Sequence, residues 1–157
     1  MGLQTTGDIS VDVDRTAAFA FLQDPQRLAA CIPGCRDVRE MAPGRYTAVL
    51  TSRVGFMTLS FKVTIEVVRM EPPSAIEATI TGDAVGLAGH LAAKAGVRLI
   101  EEAAQRTTIR FLTDVGLTGK LGGLGQPVFR ATSAQLARQF GANLKQAIEA
   151  QRTETPA

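Results

Sequence analysis

The sequence predicts an α+β fold: a curved antiparallel sheet of about seven strands around a long C-terminal helix, with two short helices after the first strand. Three observations carry this. Apolar and polar residues alternate in successive runs between Ile9 and Val115, the pattern of strands with one dry face. Between Asp14 and Pro33 the alternation gives way to two short helical stretches, each preceded by an aspartate suited to cap it. From Gln126 a helical period takes over, placing Phe129, Leu136, Phe140, Leu144 and Ile148 on one stripe.

The chain has 157 residues, which fits one domain burying roughly 70% of the surface that its extended chain exposes. Residues 1–152 are read as that domain and 153–157 as a frayed tail. Lys and Arg number 17 against 15 Asp and Glu, a net charge of +2, and the basic residues are scattered, which speaks against nucleic acid. No apolar run approaches the roughly 20 residues that span a bilayer, and the N-terminus lacks a basic flank and an apolar signal core, so a cytoplasmic protein is expected. Met1-Gly2-Leu3-Gln4-Thr5-Thr6 has the spacing of an N-myristoylation site, a short pattern of little weight. Cys31 and Cys35 lack the two-residue spacing of redox or zinc motifs, and His90 is the only histidine. The thiols are therefore read as structural, with no metal and no cofactor expected.

Taken in order, Ile9, Val11 and Val13 alternate with Asp8, Ser10, Asp12 and Asp14 in a first strand. Asp14 caps a helix through Ala17, Ala18, Phe19, Phe21 and Leu22, which Gln23-Asp24-Pro25 breaks. Asp24 caps the second helix, and Pro25 suits its first position, where a missing N–H costs nothing. Leu28 and Ile32 share a face. Pro33-Gly34 stops the helix, because proline disfavours helix in the residue before it and glycine accepts the positive φ of a reversal.

Val38 and Met41 then lead to the turn Ala42-Pro43-Gly44, after which Tyr46, Ala48, Leu50 and Val54 alternate with polar neighbours up to a break at Gly55. Leu59, Phe61, Val63, Ile65 and Val67 make the clearest strand, Glu71-Pro72-Pro73-Ser74 closes it, and Ile76, Ala78 and Ile80 form the next. This is an antiparallel meander. Gly82 to Gly89 reads as a glycine-rich loop without the lysine and serine or threonine of a phosphate-binding loop. Leu91, Ala93, Ala95, Val97 and Leu99 give a strand whose buried face is light, and Ile109, Phe111 and Val115 mark the last strand. Gly116 to Gly125, with Leu117, Leu121 and Leu124, reads as a mobile apolar loop, and the final helix is expected to run to about Gln151 with Pro127 in its first turn.

Three segments carry a resemblance: Asp24-Pro25-x-x-Leu28-x-x-Cys31-Ile32-Pro33-Gly34-Cys35, Glu71-Pro72-Pro73 and Gly119-Lys120-Leu121-x-x-Leu124-Gly125. In order and over nearly the whole domain they resemble the carbon monoxide dehydrogenase G-subunit (CoxG-like) family of the START-like (SRPBCC) helix-grip superfamily. Thr118 departs from the paired glycines common before the lysine, Pro127 falls at the usual helix entry, and the chain stops at Ala157 where many members carry a tail or hydrophobic anchor. The resemblance implies the helix-grip fold. It also implies an accessory role to a molybdenum hydroxylase of the carbon monoxide dehydrogenase type, in assembly, membrane recruitment or electron-acceptor supply.

A sheet curled around one helix rarely packs solid. Small residues such as Ala48, Ala78, Ala93 and Ala95, set against Phe61, Phe111 and Phe140, point to an elongated apolar cavity, a binding site by default. Its expected walls are Phe61, Val63, Phe111, Phe129, Leu136 and Phe140, with Leu121 and Leu124 in a mobile mouth, Ile32 gating it and Tyr46 offering a hydroxyl donor. The same residues also fit an ordinary core, and a tyrosine on the rim fits equally well. Arg138, Lys145 and Arg152 recur at heptad intervals as a surface for an acidic partner or anionic headgroups, although a solvated charged face is the commoner explanation. His90 has no serine or carboxylate in suggestive spacing, and Glu101 and Glu102, adjacent on a strand, point to opposite faces. Catalysis is therefore not expected.

The leading expectation is a non-catalytic module that shelters an apolar small molecule, quinone- or lipid-like, for that hydroxylase. The alternative is an assembly, membrane-recruitment or docking factor with no ligand, in peripheral contact with the inner face of the membrane. A small cyclase- or hydratase-like enzyme is a third reading, resting on fold analogy alone.

Overall fold

In the computed structural model the backbone is described over residues 2–54, 57–86, 89–119 and 126–154, and side chains over 4–53, 58–86, 89–119 and 130–150. Strand β1 (Gly2–Val11) leads into helices α1 (Arg15–Leu22) and α2 (Pro25–Cys31). There follow β2 (Cys35–Ala42), β3 (Arg45–Val54), β4 (Met57–Glu71), β5 (Ala75–Ala84), β6 (Gly89–Ala103), β7 (Arg106–Gly119) and helix α3 (Gln126–Glu154). All seven strands form one antiparallel sheet in the order β1-β7-β6-β5-β4-β3-β2, curved so that α3 lies along β1 and reaches α2 and β3. This is the helix-grip arrangement expected from the sequence.

Local chemistry accounts for the short helices. The Asp14 carboxylate accepts the Ala17 N–H at 2.7 Å, and the Asp24 carboxylate accepts those of Gln26 at 3.1 Å and Arg27 at 3.3 Å. These bonds satisfy backbone donors that a first helical turn leaves without partners. After α2 the chain reverses at Gly34, whose φ is +77°. Its carbonyl accepts the Thr51 N–H at 2.9 Å, and a Cβ there would overlap the Thr51 carbonyl oxygen.

Three boundaries differ from the sequence expectation. β1 starts at Gly2 rather than near Asp8, because residues 2–7 continue the ladder with β7 from Gly2↔Gly116 to Gly7↔Phe111. β5 runs through Gly82 to Ala84, and His90 already pairs with Asp83, so little of the supposed 82–89 loop is loop. β7 continues to Gly119, which makes Leu117 a buried strand residue rather than part of a mobile loop. In each case ladder pairing outweighs the backbone entropy lost by ordering glycine, with neighbours on both sides at Gly82 and Gly116 and on one side along the edge strand β1 and at Gly119.

The register aligns the inward residues of five strands into rows. Leu117, Leu91, Gly82, Val63 and Ala48 form one row, and Val115, Ala93, Ile80, Ile65 and Tyr46 the next. Then come Thr5, Thr113, Ala95, Ala78 and Val67, followed by Gly7, Phe111, Val97 and Ile76, and finally Ile9, Ile109 and Leu99. The apolar core divides across these rows. One cluster joins Val11, Val13, Phe19, Leu22, Cys31, Leu99, Ile109, Leu144 and Ile148 beneath α1 and α2. The other joins Ala48, Leu59, Phe61, Val63 and Leu117 within the sheet.

Candidate ligand-binding site

The space between the two clusters falls on the row of small residues. Ala78, Ala95 and Val67 pack into neither cluster, nor does Ala93 one row away, and all four are only half-buried although they face α3. A close-packed interior would cover such positions fully. Alanine stops short of the facing helix, and here two alanines lie directly opposite each other, at Ala78↔Ala95, with Thr113 and Thr5 continuing the row to the sheet edge. The narrow waist in side-chain volume follows from register, which spacing along one strand does not reveal.

On α3, Leu136 and Phe140 are both half-buried, and Phe140 packs against the first cluster. Phe140 meets Phe111 edge-to-face with ring centroids 5.3 Å apart and planes at 85°, a favourable aromatic geometry. Phe111 can reach that position because a Cβ on Gly7 would lie only 2.5 Å from its Cζ, so the ring rests on bare β1 backbone. Gly141 makes room on the helix side, where a Cβ would approach Ile9 Cγ2 to 3.0 Å. The helix is tied to β1 near this row by a 2.6 Å hydrogen bond between the hydroxyls of Thr5 and Ser133.

The expected wall residues therefore separate into groups. Phe61 and Val63 sit inside the second, closed cluster with Ala48. Phe111 lies one row from the small residues, Phe140 packs on it and against the first cluster, and Leu136 is half-buried on α3. Tyr46 is half-buried on the inward face opposite Ile65, one row away. Ile32 is the C-terminal cap of α2, in a turn that links Cys31 of the first cluster to Cys35, packed against the second. The Asn143 amide on α3 holds that turn by donating to the Cys31 carbonyl at 3.0 Å. Leu121 and Leu124 lie outside the described residues, and Phe129 lies on α3 with its side chain outside them.

Among the charged residues, Arg138 is exposed and has no carboxylate within ion-pair distance among the described residues. Lys145 is different: its ammonium donates to the Ser10 carbonyl at 2.6 Å and to Glu149 at 3.2 Å, fastening α3 to β1. The Arg152 side chain lies outside the described residues. Burial pushes the Cys31 and Cys35 thiols above their usual pKa, which keeps them protonated and poor nucleophiles.

His90 does have a carboxylate partner, contrary to the sequence reading. Its Nδ1 lies 2.9 Å from Asp83 Oδ1, across the β5–β6 pairing that brings together residues seven apart in sequence. Both side chains are exposed on the outer face of the sheet, away from α3. In the rows from Ile109 to Leu117, the inward positions of β3 to β7 among the described residues carry no histidine, carboxylate, lysine or arginine. Such a face can solvate an apolar body and donate a few hydroxyl hydrogen bonds, from Tyr46, Thr113 and Thr5.

Solved structures share this architecture. A conserved protein from Geobacillus kaustophilus superposes with a TM-score of 0.82 at 21% identity, covering 94% of this chain and 96% of that one. A START superfamily protein from Mycobacterium smegmatis gives 0.65 at 11% identity, covering 97% and 99%. The Zhui aromatase/cyclase from Streptomyces sp. R1128 gives 0.61 at 14% identity, covering 98% and 95%. At these identities the likeness is one of fold. No curated protein matches the sequence. The profile of the carbon monoxide dehydrogenase G-subunit (CoxG) family matches residues 7–149.

Proposed function

The chain belongs to the CoxG family, the G-subunit family of carbon monoxide dehydrogenase, and from that premise we propose that it is a non-catalytic carrier that holds an apolar small molecule, quinone- or lipid-like, between the concave sheet and α3. In this reading it serves a molybdenum hydroxylase of the carbon monoxide dehydrogenase type. The observation that carries the ligand is the division of the core along Thr5, Thr113, Ala95, Ala78 and Val67, where inward apolar positions are left half-covered. An apolar guest would cover them, each buried methylene contributing about 0.8 kcal/mol. The partner enzyme comes from the family name alone. Native mass spectrometry of the purified protein, with titration by a short-tailed benzoquinone against a fluorescent fatty acid, tests the reading. A bound apolar molecule and saturable displacement are expected; an empty protein that binds neither probe refutes the carrier.

A docking factor without ligand is the second reading, and Arg138 favours it, being an exposed guanidinium with no carboxylate partner among the described residues. Arg138→Glu would abolish capture of the hydroxylase under this reading and leave quinone titration unchanged. The same reversal at Lys145 is uninformative, since it would also release β1. Among the described residues no helix is long and apolar enough to cross a membrane, so membrane recruitment would be peripheral. The enzyme reading draws only on the cyclase named above. It would require a proton-transfer group at the guest, and among the described residues the inward rows supply hydroxyls only.

A further inference from the structure

The two edges of the sheet are treated differently. β2 carries two register irregularities, between Arg36 and Arg39 and between Glu40 and Ala42, with Asp37 at φ +56°, and the Gln26 amide of α2 donates to the Val38 carbonyl at 3.2 Å. Bulges and side-chain cover of this kind block strand addition. β1, the opposite edge, pairs with β7 from Gly2 to Val11 without an irregularity.

α3 covers only part of the β1 edge. The Lys145 ammonium takes the Ser10 carbonyl and the Glu149 carboxylate accepts the Asp12 N–H at 3.2 Å. Since the outward groups of a strand recur every second residue, Thr6 and Asp8 also direct their N–H and C=O away from β7. Opposite them the helix offers Ala134, Gly141 and Ala142, too short to reach, and a cleft of about 410 Å³ opens there, with Ile9 and Phe111 in its wall. The cleft is framed by the Thr5–Ser133 bond at one end and the Lys145–Ser10 bond at the other. From Thr5 to Ser10 a strand rises about 17 Å, and from Ser133 to Lys145 a helix rises about 18 Å, so strand and helix run side by side along a window that fits about five residues of extended chain.

The charge left over in this window is positive. Asp8 is held by Arg110 at 3.0 and 3.3 Å, whereas Arg138 on the cleft wall, and Arg130 two turns earlier on the same helix stripe, have no carboxylate partner among the described residues. We propose that this cleft is a peptide-docking site: an extended segment of a partner protein, carrying an acidic side chain, adds to β1 as an eighth strand and places its carboxylate on Arg138. Main-chain hydrogen bonds to Thr6 and Asp8 supply the generic affinity, and Arg138 with the apolar floor supplies the selection, as in other strand-addition complexes. The site lies on the sheet edge and shares Thr5 and Phe111 with the interior face, whereas Thr6, Asp8 and Arg138 belong to the edge cleft.

Selection of random twelve-residue peptides displayed on phage against the full chain, followed by synthesis of an enriched peptide with a fluorescein label, tests it. Enriched sequences are expected to alternate in polarity and to contain Asp or Glu. Arg138→Glu weakens binding of the synthetic peptide about tenfold or more, the loss of one charge-assisted pair. Thr6→Pro, which removes an outward N–H without touching the β7 ladder, weakens it similarly. Hydrogen exchange on the unmutated protein gives a readout that no misfolded variant can confuse: the Thr6 and Asp8 amides slow when peptide is bound. Failure to enrich any peptide, equal binding to both variants, or protection confined to other strands overturns the proposal. So does a concentration-dependent dimer in sedimentation with Thr6 and Asp8 protected, which would assign the edge to a second copy of this chain.

Discussion

Replacing Ala95 by leucine separates an open interior from a solid one. Ala95 faces α3 between Ala78 and Thr113 and packs into neither core cluster. Leucine adds three carbons, and burying them contributes about 2.4 kcal/mol at about 0.8 kcal/mol per methylene. In a filled core the same atoms would force strain costing about 1–3 kcal/mol. With vacant space opposite, the first effect offsets or exceeds the second, so the unfolding free energy of Ala95→Leu is expected to stay level or rise by up to about 2 kcal/mol, while quinone displacement is lost. Ala78→Leu should behave alike. Cross-strand partners on one face have Cβ atoms about 5 Å apart, so the double variant competes for one space and its stability falls below the sum of the singles. Both measurements use the same purified protein, urea unfolding followed by circular dichroism and ligand titration by fluorescence. A destabilisation of more than about 2 kcal/mol in each single variant, with ligand binding intact, would refute the vacant row and return these alanines to the core.

Other outcomes can be checked alongside. Gly34→Ala combines a positive φ with overlap onto the Thr51 carbonyl, so a loss of about 3 kcal/mol or more is expected in urea unfolding; a loss under about 1 kcal/mol would show that the turn relaxes freely. Asp24→Ala removes two capping bonds from α2 and should cost about 1 kcal/mol, as should Asp14→Ala at α1. The raised thiol pKa values of Cys31 and Cys35, caused by burial, mean that the folded state holds these protons more tightly than the unfolded one. Their contribution is complete below the ordinary thiol value, about 8.5, and is lost as pH rises above it. Stability should therefore fall in alkaline solution, and Cys31→Ala should flatten part of that fall.

The strands and helices were readable because each is specified by short-range physics. The alternation through Leu59, Phe61 and Val63 and the caps at Asp14 and Asp24 involve residues at most a few positions apart, and the structure places all of them as expected. Strand ends were misjudged where glycine stood. A local reading sees only its entropic cost at Gly82, Gly116 and Gly119, whereas the ladder supplies neighbours on both sides of Gly82 and Gly116 and on one side of Gly119.

The candidate site was half-legible. Small residues and phenylalanines announce loose packing in any curved sheet, but no spacing along the chain tells that Ala78 meets Ala95 while Ala48 is sealed against Val63. The pairing of His90 with Asp83 and the tethering of Lys145 to Ser10 were hidden for the same reason. By itself the sequence determined the fold class, the order of elements and the capped Asp24–Cys35 segment, because periodicity, caps and turn residues act over one or two turns of chain. Only the tertiary structure decided which small residues share a row, which edge of the sheet pairs without irregularity and that Arg138 stands on the cleft wall without a carboxylate partner among the described residues. Those depend on register between strands far apart in sequence and on where α3 comes to rest against β1.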